Sequence, residues 1–163
     1  MIRFVVDAML GKLSLWLRLV GYDTLYSTEI HDDDLLTIAD REGRYLLTAD
    51  ARLHQRAMER SIDSMLLRGS VDERVTRVFQ EFGISPRIDP SKSRCSKCNG
   101  KLAEIGASEK ERVKDLVFDD TYNHYEKFWL CDDCQSVFFQ GGQWENMQKY
   151  MSRIEKLMST RES

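Results

Sequence analysis

The chain reads as an α/β protein with a mainly parallel sheet flanked by helices, followed by a small β ribbon and a C-terminal helix. Three observations predict this. Up to Gly83, short apolar runs alternate with amphipathic helical segments, the pattern of strand–helix–strand crossovers. Two Cys-x-x-Cys pairs, Cys95/Cys98 and Cys131/Cys134, fall in the second half. Both prolines, Pro86 and Pro90, lie between these two regions.

Each element has its own warrant. Residues 2–6 form an apolar run ending at Asp7, which predicts a buried strand. Leu10, Leu13, Leu17 and Val20 recur at helical spacing, and Gly21 is placed to stop that helix. Residues 23–27 predict a second strand. Asp32 or a neighbour caps a helix over 33–42, with Leu35, Leu36 and Ile38-Ala39 inward and Gly43 at its end. Residues 44–48 predict a third strand and 51–60 a helix; residues 63–67 predict a short strand. Val71, Val75, Val78, Phe79 and Phe82 define one face of a helix closed by Gly83. A boundary near 84–94 separates a unit over 1–90 from one over 91–163, and few contacts are expected to cross it. Beyond it, strands are expected at 101–105, 125–130 and 136–139, with a charged helical turn near 108–116. Met147, Tyr150, Met151, Ile154 and Leu157-Met158 mark one face of a helix over 144–158.

Composition bounds the function classes. With 163 residues and 42% hydrophobic content, the chain is able to build a packed core without staples. No apolar run approaches a membrane span, and the first residues enter a strand rather than a signal peptide; a cytoplasmic protein is expected. The net charge of −3 is spread over both halves, so no global positive field announces nucleic acid.

Asp7, Asp32 and Asp50 stand at two strand ends and one helix start, and these ends share one edge of a parallel sheet. Three carboxylates gathered there repel one another unless a cation lies between them. Hard oxygen ligands suit Mg²⁺ or Mn²⁺, a combination that points to phosphodiester cleavage. Thr48 is placed to hydrogen-bond a carboxylate or a phosphate oxygen. Singly, each aspartate has an ordinary explanation as a cap or strand terminator. A phospho-acceptor receiver domain also uses acids at strand ends, but opens with paired acids where Asp7 stands alone.

Arg52, Arg56 and Arg60 form one helical stripe after Asp50, while Lys12 and Arg18 lie on the first helix. These are candidates for phosphate contact, set against the commoner role of a solvated helix face. His31, His54 and His124 show no metal-ligand spacing. The paired Cys-x-x-Cys motifs predict a tetrahedral site formed by Cys95, Cys98, Cys131 and Cys134, with zinc favoured over iron, disulfides or a redox pair. The ribbon's aromatics, Tyr122, Tyr125, Phe128, Trp129, Phe138, Phe139 and Trp144, are expected mainly to pack, leaving one or two as stacking platforms for bases.

The segments Phe4-Val5-Val6-Asp7-Ala8-Met9-Leu10-Gly11-Lys12-Leu13, Trp16-Leu17-Arg18-Leu19-Val20-Gly21-Tyr22-Asp23 and Arg44-Tyr45-Leu46-Leu47-Thr48-Ala49-Asp50 resemble the Mut-seven C-terminal ribonuclease domain family. So do Cys95-Ser96-Lys97-Cys98-Asn99-Gly100, Phe128-Trp129-Leu130-Cys131-Asp132-Asp133-Cys134 and Gly141-Gly142-Gln143-Trp144-Glu145. The resemblance implies a PIN-like nuclease domain joined to a zinc ribbon, acting on RNA as a metal-dependent ribonuclease. It places the family's acids on Asp7, Asp32 and Asp50, and its basic positions on Arg18 and Arg52. Two departures stand out: Arg68-Gly69-Ser70 offers no fourth acid before Asp72, and Ala49 replaces a usual basic residue. The expected reading is an endoribonuclease with catalytic Mg²⁺ or Mn²⁺ at Asp7, Asp32 and Asp50. Arg18, Arg52, Thr48, Lys12 and Arg56 would contact substrate, and the zinc would be structural. The alternatives are a non-catalytic RNA- or ribosome-associated ribbon protein, and an adaptor that docks through its C-terminal helix.

Overall fold

The computed structural model describes residues 1–162. Strands β1 (Phe4–Val6), β2 (Thr24–Tyr26), β3 (Tyr45–Thr48) and β4 (Ser64–Leu66) form one parallel sheet in the order β2-β1-β3-β4. A 3-10 turn at Ala8–Leu10 leads into helix α1 (Gly11–Leu19). Helices α2 (Asp32–Glu42), α3 (Ala51–Glu59) and α4 (Val71–Phe82) complete the crossovers.

The strand pleat sorts side chains onto two faces. Val5 and Leu46 face one way, against Leu35 and Leu36 of α2 and Leu53 and Ala57 of α3. Phe4, Val6 and Leu47 face the other way, against Leu13 and Leu17 of α1 and Val75, Val78 and Phe79 of α4. A sheet covered on both faces needs strands that are apolar throughout, and β1 is buried at all three positions. Gly43 and Gly83 end α2 and α4 with φ of 64° and 63°, the left-handed conformation expected from their positions.

The second sheet is antiparallel: β5 (Leu102–Ile105), β6 (Phe128–Cys131) and β7 (Val137–Phe138), in that order. Its own small core gathers Ile105, Val113, Phe128 and Leu130. A 3-10 helix at Ala107–Val113 replaces the expected charged turn, and a short helix α5 (Asp119–His124) fills a stretch with no predicted element. Helix α5 buries no residue, so it carries no apolar periodicity to read. The final helix, α6, runs from Gly142 to Glu162 and is longer than the apolar stripe alone predicts.

One expectation is corrected. Contacts do cross the 84–94 boundary: Ile84 and Ile88 within it are buried in the core of the parallel sheet, and residues beyond it join that core. Helix α6 joins the same core through Met151 and Ile154, which are 1% and 0% exposed. The Trp16 and Tyr150 rings stack with centroids 4.1 Å apart, and Gln80 Nε2 donates to the Met158 carbonyl at 2.8 Å. The C-terminal helix therefore packs on the parallel-sheet core, although the ribbon separates the two in sequence. An apolar stripe gives no address: it buries against whichever apolar face the topology presents.

Candidate active site and metal centre

The carboxyl ends of the parallel strands carry the acids. Asp7 directly follows β1, and its amide donates to the Leu47 carbonyl at 3.0 Å, so the ladder fixes its backbone. Its Oδ1 accepts from the Met9 amide at 3.2 Å and caps the 3-10 turn. Its Oδ2 accepts from the Thr48 hydroxyl at 2.7 Å. That same hydroxyl oxygen accepts from the Asp50 amide at 3.0 Å. Asp50 in turn caps α3, its Oδ1 accepting from the amides of Arg52 and Leu53 at 2.9 and 3.2 Å. Asp50 Oδ2 makes no hydrogen bond among the described residues. One buried threonine thus couples two acids on neighbouring strands. Thr48 is fully buried and its hydroxyl bonds the Asp7 carboxylate, one of the two partners expected for it.

Asp32 lies on the exposed first turn of α2, with Asp33 and Asp34. The cap position belongs to His31, whose side chain makes no capping bond. Asp32 shares the sheet edge but is not drawn into the Asp7–Thr48–Asp50 chain. The three carboxylates do not form a closed ligand set. Among the described residues, the one group of three or more His, Cys, Asp or Glu with ligand atoms all within 4.8 Å of one another is the four cysteines. Asp72, the first acid available after β4, pairs with Arg153 of α6 at 3.1 Å.

The basic residues divide. Arg52 and Lys12 are exposed in the first turns of α3 and α1. Arg56 is ion-paired with Asp33, stitching α3 to α2. Arg18 is only 4% exposed; its Nε donates to the Thr24 carbonyl at 2.9 Å and its Nη1 to the Ser96 carbonyl at 3.1 Å. Thr24 opens β2, so Arg18 sits at the amino end of the sheet, opposite the acids. Its expected phosphate contact is therefore corrected to a structural bridge. Arg74 of α4 was not foreseen. It lines a cleft with Lys12, and its Nε is buried without a partner among the described residues. The available signal was a cation flanking the apolar stripe in the opening turns of the helix after β4.

The four cysteines sit in two matching knuckles. The Cys95 amide donates to the Gly100 carbonyl and the Cys131 amide to the Ser136 carbonyl, at 2.8 and 2.9 Å. Asn99 and Gln135, each just after its Cys-x-x-Cys, take φ of 73° and 62° to close these turns. Cys95 and Cys134 Sγ lie 3.6 Å apart, and Cys98 and Cys131 Sγ lie 3.4 Å apart. A disulfide needs about 2.05 Å, so these are free thiols. A regular tetrahedron with metal–sulfur bonds of about 2.3 Å places sulfurs about 3.8 Å apart, so the donors fit a metal such as zinc. Burial, joined by hydrogen bonding among the neighbouring thiols, pushes Cys98 up to about 12, while the hydrogen bond with Ser136 brings Cys134 down to about 6.

The knuckle also docks the ribbon. Asn99 Oδ1 accepts from the Thr24 amide at 2.9 Å, and Asn99 Nδ2 donates to Asp23 Oδ1 at 2.7 Å. Arg44 Nη1 donates to the same Asp23 oxygen at 2.9 Å. Burial works to raise Asp23, but the bonds from Arg44 and Asn99, with the charges of Arg44 and Arg94, hold it below its ordinary value. Ribbon and acids therefore occupy opposite ends of the sheet. The ribbon's aromatics pack: Phe128 and Trp129 are buried, and Tyr125 and Phe128 both meet Phe139.

A parallel α/β unit with acids at its carboxyl edge, joined to a tetracysteine ribbon able to hold a metal, defines the class of this protein. The family model of the Mut7-C RNAse domain matches residues 2–151, and the chain belongs to that family. Membership supports a nuclease-type enzyme with RNA as substrate. No curated protein and no solved structure matches the chain. Among the described residues, no helix is long and apolar enough to cross a membrane.

Proposed function

We propose that the protein is a metal-dependent endoribonuclease of the PIN-like class, with its reaction centre at Asp7 and Asp50. The observation that carries this reading is the hydrogen-bond chain Asp7–Thr48–Asp50 across two neighbouring strand ends. Asp7 and Asp50 present hard oxygen donors on one sheet edge, and Asp32 reaches the same edge from the exposed turn of α2. These residues would hold Mg²⁺ or Mn²⁺. When bound, such an ion supplies Lewis-acid activation of water and neutralises phosphate charge. The protein's part is positional. Thr48 fixes one Asp7 oxygen, the α3 amides fix one Asp50 oxygen, and Asp50 Oδ2 stays open. Arg52, next to Asp50 on an exposed turn, attracts the phosphodiester.

The four cysteines would hold zinc as a structural ion, since a four-thiolate site leaves no open position for chemistry. Paired Cys-x-x-Cys motifs used as metal ligands suit a reducing compartment, and a cytoplasmic location is part of this proposal.

Single-stranded RNA incubated with Mn²⁺ tests the assignment. Cleavage is expected from the wild type and is lost in Asp7→Asn and Asp50→Asn; equal activity in all three rejects the site. One observation favours a second reading, a non-catalytic RNA-binding module: among the described residues the three acids do not gather into one close ligand group. Salt-sensitive RNA binding without metal-dependent cleavage would support it.

A further inference from the structure

A cleft of about 340 Å³ opens between the first turn of α1 and the start of α4. Met9, Gly11, Lys12, Val71 and Arg74 line it, and no acid does. In a parallel α/β unit both helices begin at the carboxyl edge of the sheet, so the cleft borders the acids. The link is direct along the chain: the Met9 amide holds Asp7 Oδ1, and the Met9 side chain, 69% exposed, stands at the rim.

Its charges are unspent. Arg74 Nε is buried without a hydrogen-bond partner among the described residues, and the guanidinium has no ion pair there. The neighbouring acids are engaged elsewhere: Asp72 pairs with Arg153, and Glu73 accepts from the Ser70 hydroxyl. Helix α1 has no acid in its first turn and no capping side chain, so its dipole adds to the positive field. The Arg74 Nη groups make no hydrogen bond among the described residues and are not buried, so they are the donors a ligand in the cleft meets. The complementary ligand is an anion with several acceptor oxygens.

We propose that this cleft is a backbone-phosphate subsite for RNA, with Arg74 its principal cation and Lys12 its second, an inference that rests on the ribonuclease reading above. The acids and these cations then divide the strand. The carboxylates serve the phosphodiester being cut, and the cleft grips a neighbouring phosphate and sets the strand's register.

The test compares wild type, Arg74→Gln, Arg74→Lys, Lys12→Ala and the control Arg41→Gln. Arg41 lies on the last turn of α2 and removes the same charge from a place outside the cleft. Binding of a short single-stranded RNA is followed by fluorescence anisotropy at several salt concentrations without added divalent ion. Cleavage is followed with Mn²⁺. Arg74→Gln is expected to raise Kd and KM roughly tenfold with kcat little changed, and to flatten the log–log salt slope by about 0.7. Arg74→Lys should recover most of the loss, and Arg41→Gln should match wild type. Lys12 is exposed, so Lys12→Ala carries the test if Arg74→Gln fails to fold. Wild-type affinity and KM in both cleft variants would overturn the subsite while leaving the nuclease reading intact. RNA binding that depends on Arg74 in a protein that never cleaves would sink the nuclease reading and keep the subsite. A wild type that neither binds nor cuts RNA would overturn both.

Discussion

Thr48 Oγ1 sits 2.7 Å from Asp7 Oδ2, a fully buried hydroxyl donating to a carboxylate that solvent barely reaches. The same oxygen accepts from the Asp50 amide, so its two bonds fix the spacing of two acids. Thr48→Val keeps the shape and removes both bonds. It should cost about 1–3 kcal/mol of stability and cut kcat roughly tenfold to a hundredfold. Thr48→Ser restores the hydroxyl and should recover most of kcat. Denaturant melts and single-turnover cleavage read the two effects separately; full activity in Thr48→Val would show that the acids need no such tether.

Asp23 anchors the ribbon to the sheet, and its carboxyl is held below the ordinary 3.8. A depressed carboxyl stabilises the fold fully above its unfolded value, and that stabilisation is lost as pH falls through the lower folded value. The wild type should therefore melt above Asp23→Asn near neutral pH, and the difference should close as pH drops below 3.8. Thermal melts of the pair across acid pH decide it. The comparison cancels any loss of metal common to both proteins, and a gap that persists into acid would assign Asp23's contribution to something other than its charge.

Stripping metal with a strong chelator should unfold the knuckles first. Amide exchange should rise across residues 95–138 while β1 and β3 stay protected. Thr24 gives a sharper marker, because its amide bonds to Asn99 of the first knuckle. Its protection should fall with that of the ribbon although it belongs to the other sheet. If Thr24 keeps its protection after chelation, the docking does not depend on metal.

Ile154 is fully buried among α1 and α4 side chains. Ile154→Ala should destabilise the parallel-sheet unit by about 2–5 kcal/mol, read by urea melts. A chain ending at Trp144 should fail to hold a native α/β core. If it folds and retains metal-dependent cleavage, α6 is an appendage after all.

The parallel unit was legible because short apolar strands alternate with helices that carry an apolar face, three of them followed by a glycine (Gly21, Gly43 and Gly83). Leu35, Leu36 and Ala39 fell inward as their spacing required. The cysteine pairs were equally plain, since thiolate ligands at Cys-x-x-Cys spacing have few other uses. Roles that depend on three-dimensional neighbours were not legible. Arg18 looked like a surface cation until Ser96 and Thr24 supplied carbonyl acceptors from distant segments. Arg74 drew no notice because its significance lies in lacking a partner. Asp32 illustrates the same limit from the other side: sequence gives its strand edge, but not the distance from its oxygens to those of Asp7.

Strand β2 is an outer strand of the parallel sheet, and the Thr24 amide on its open flank is occupied by a side chain of the first knuckle. Free outer strands template the addition of further chains. The first knuckle therefore occupies a backbone donor that this border would otherwise offer. Oxidation or metal starvation that releases the knuckle would uncover a sticky border, so aggregation should accompany loss of the thiolate centre even while the enzyme's acids remain in place.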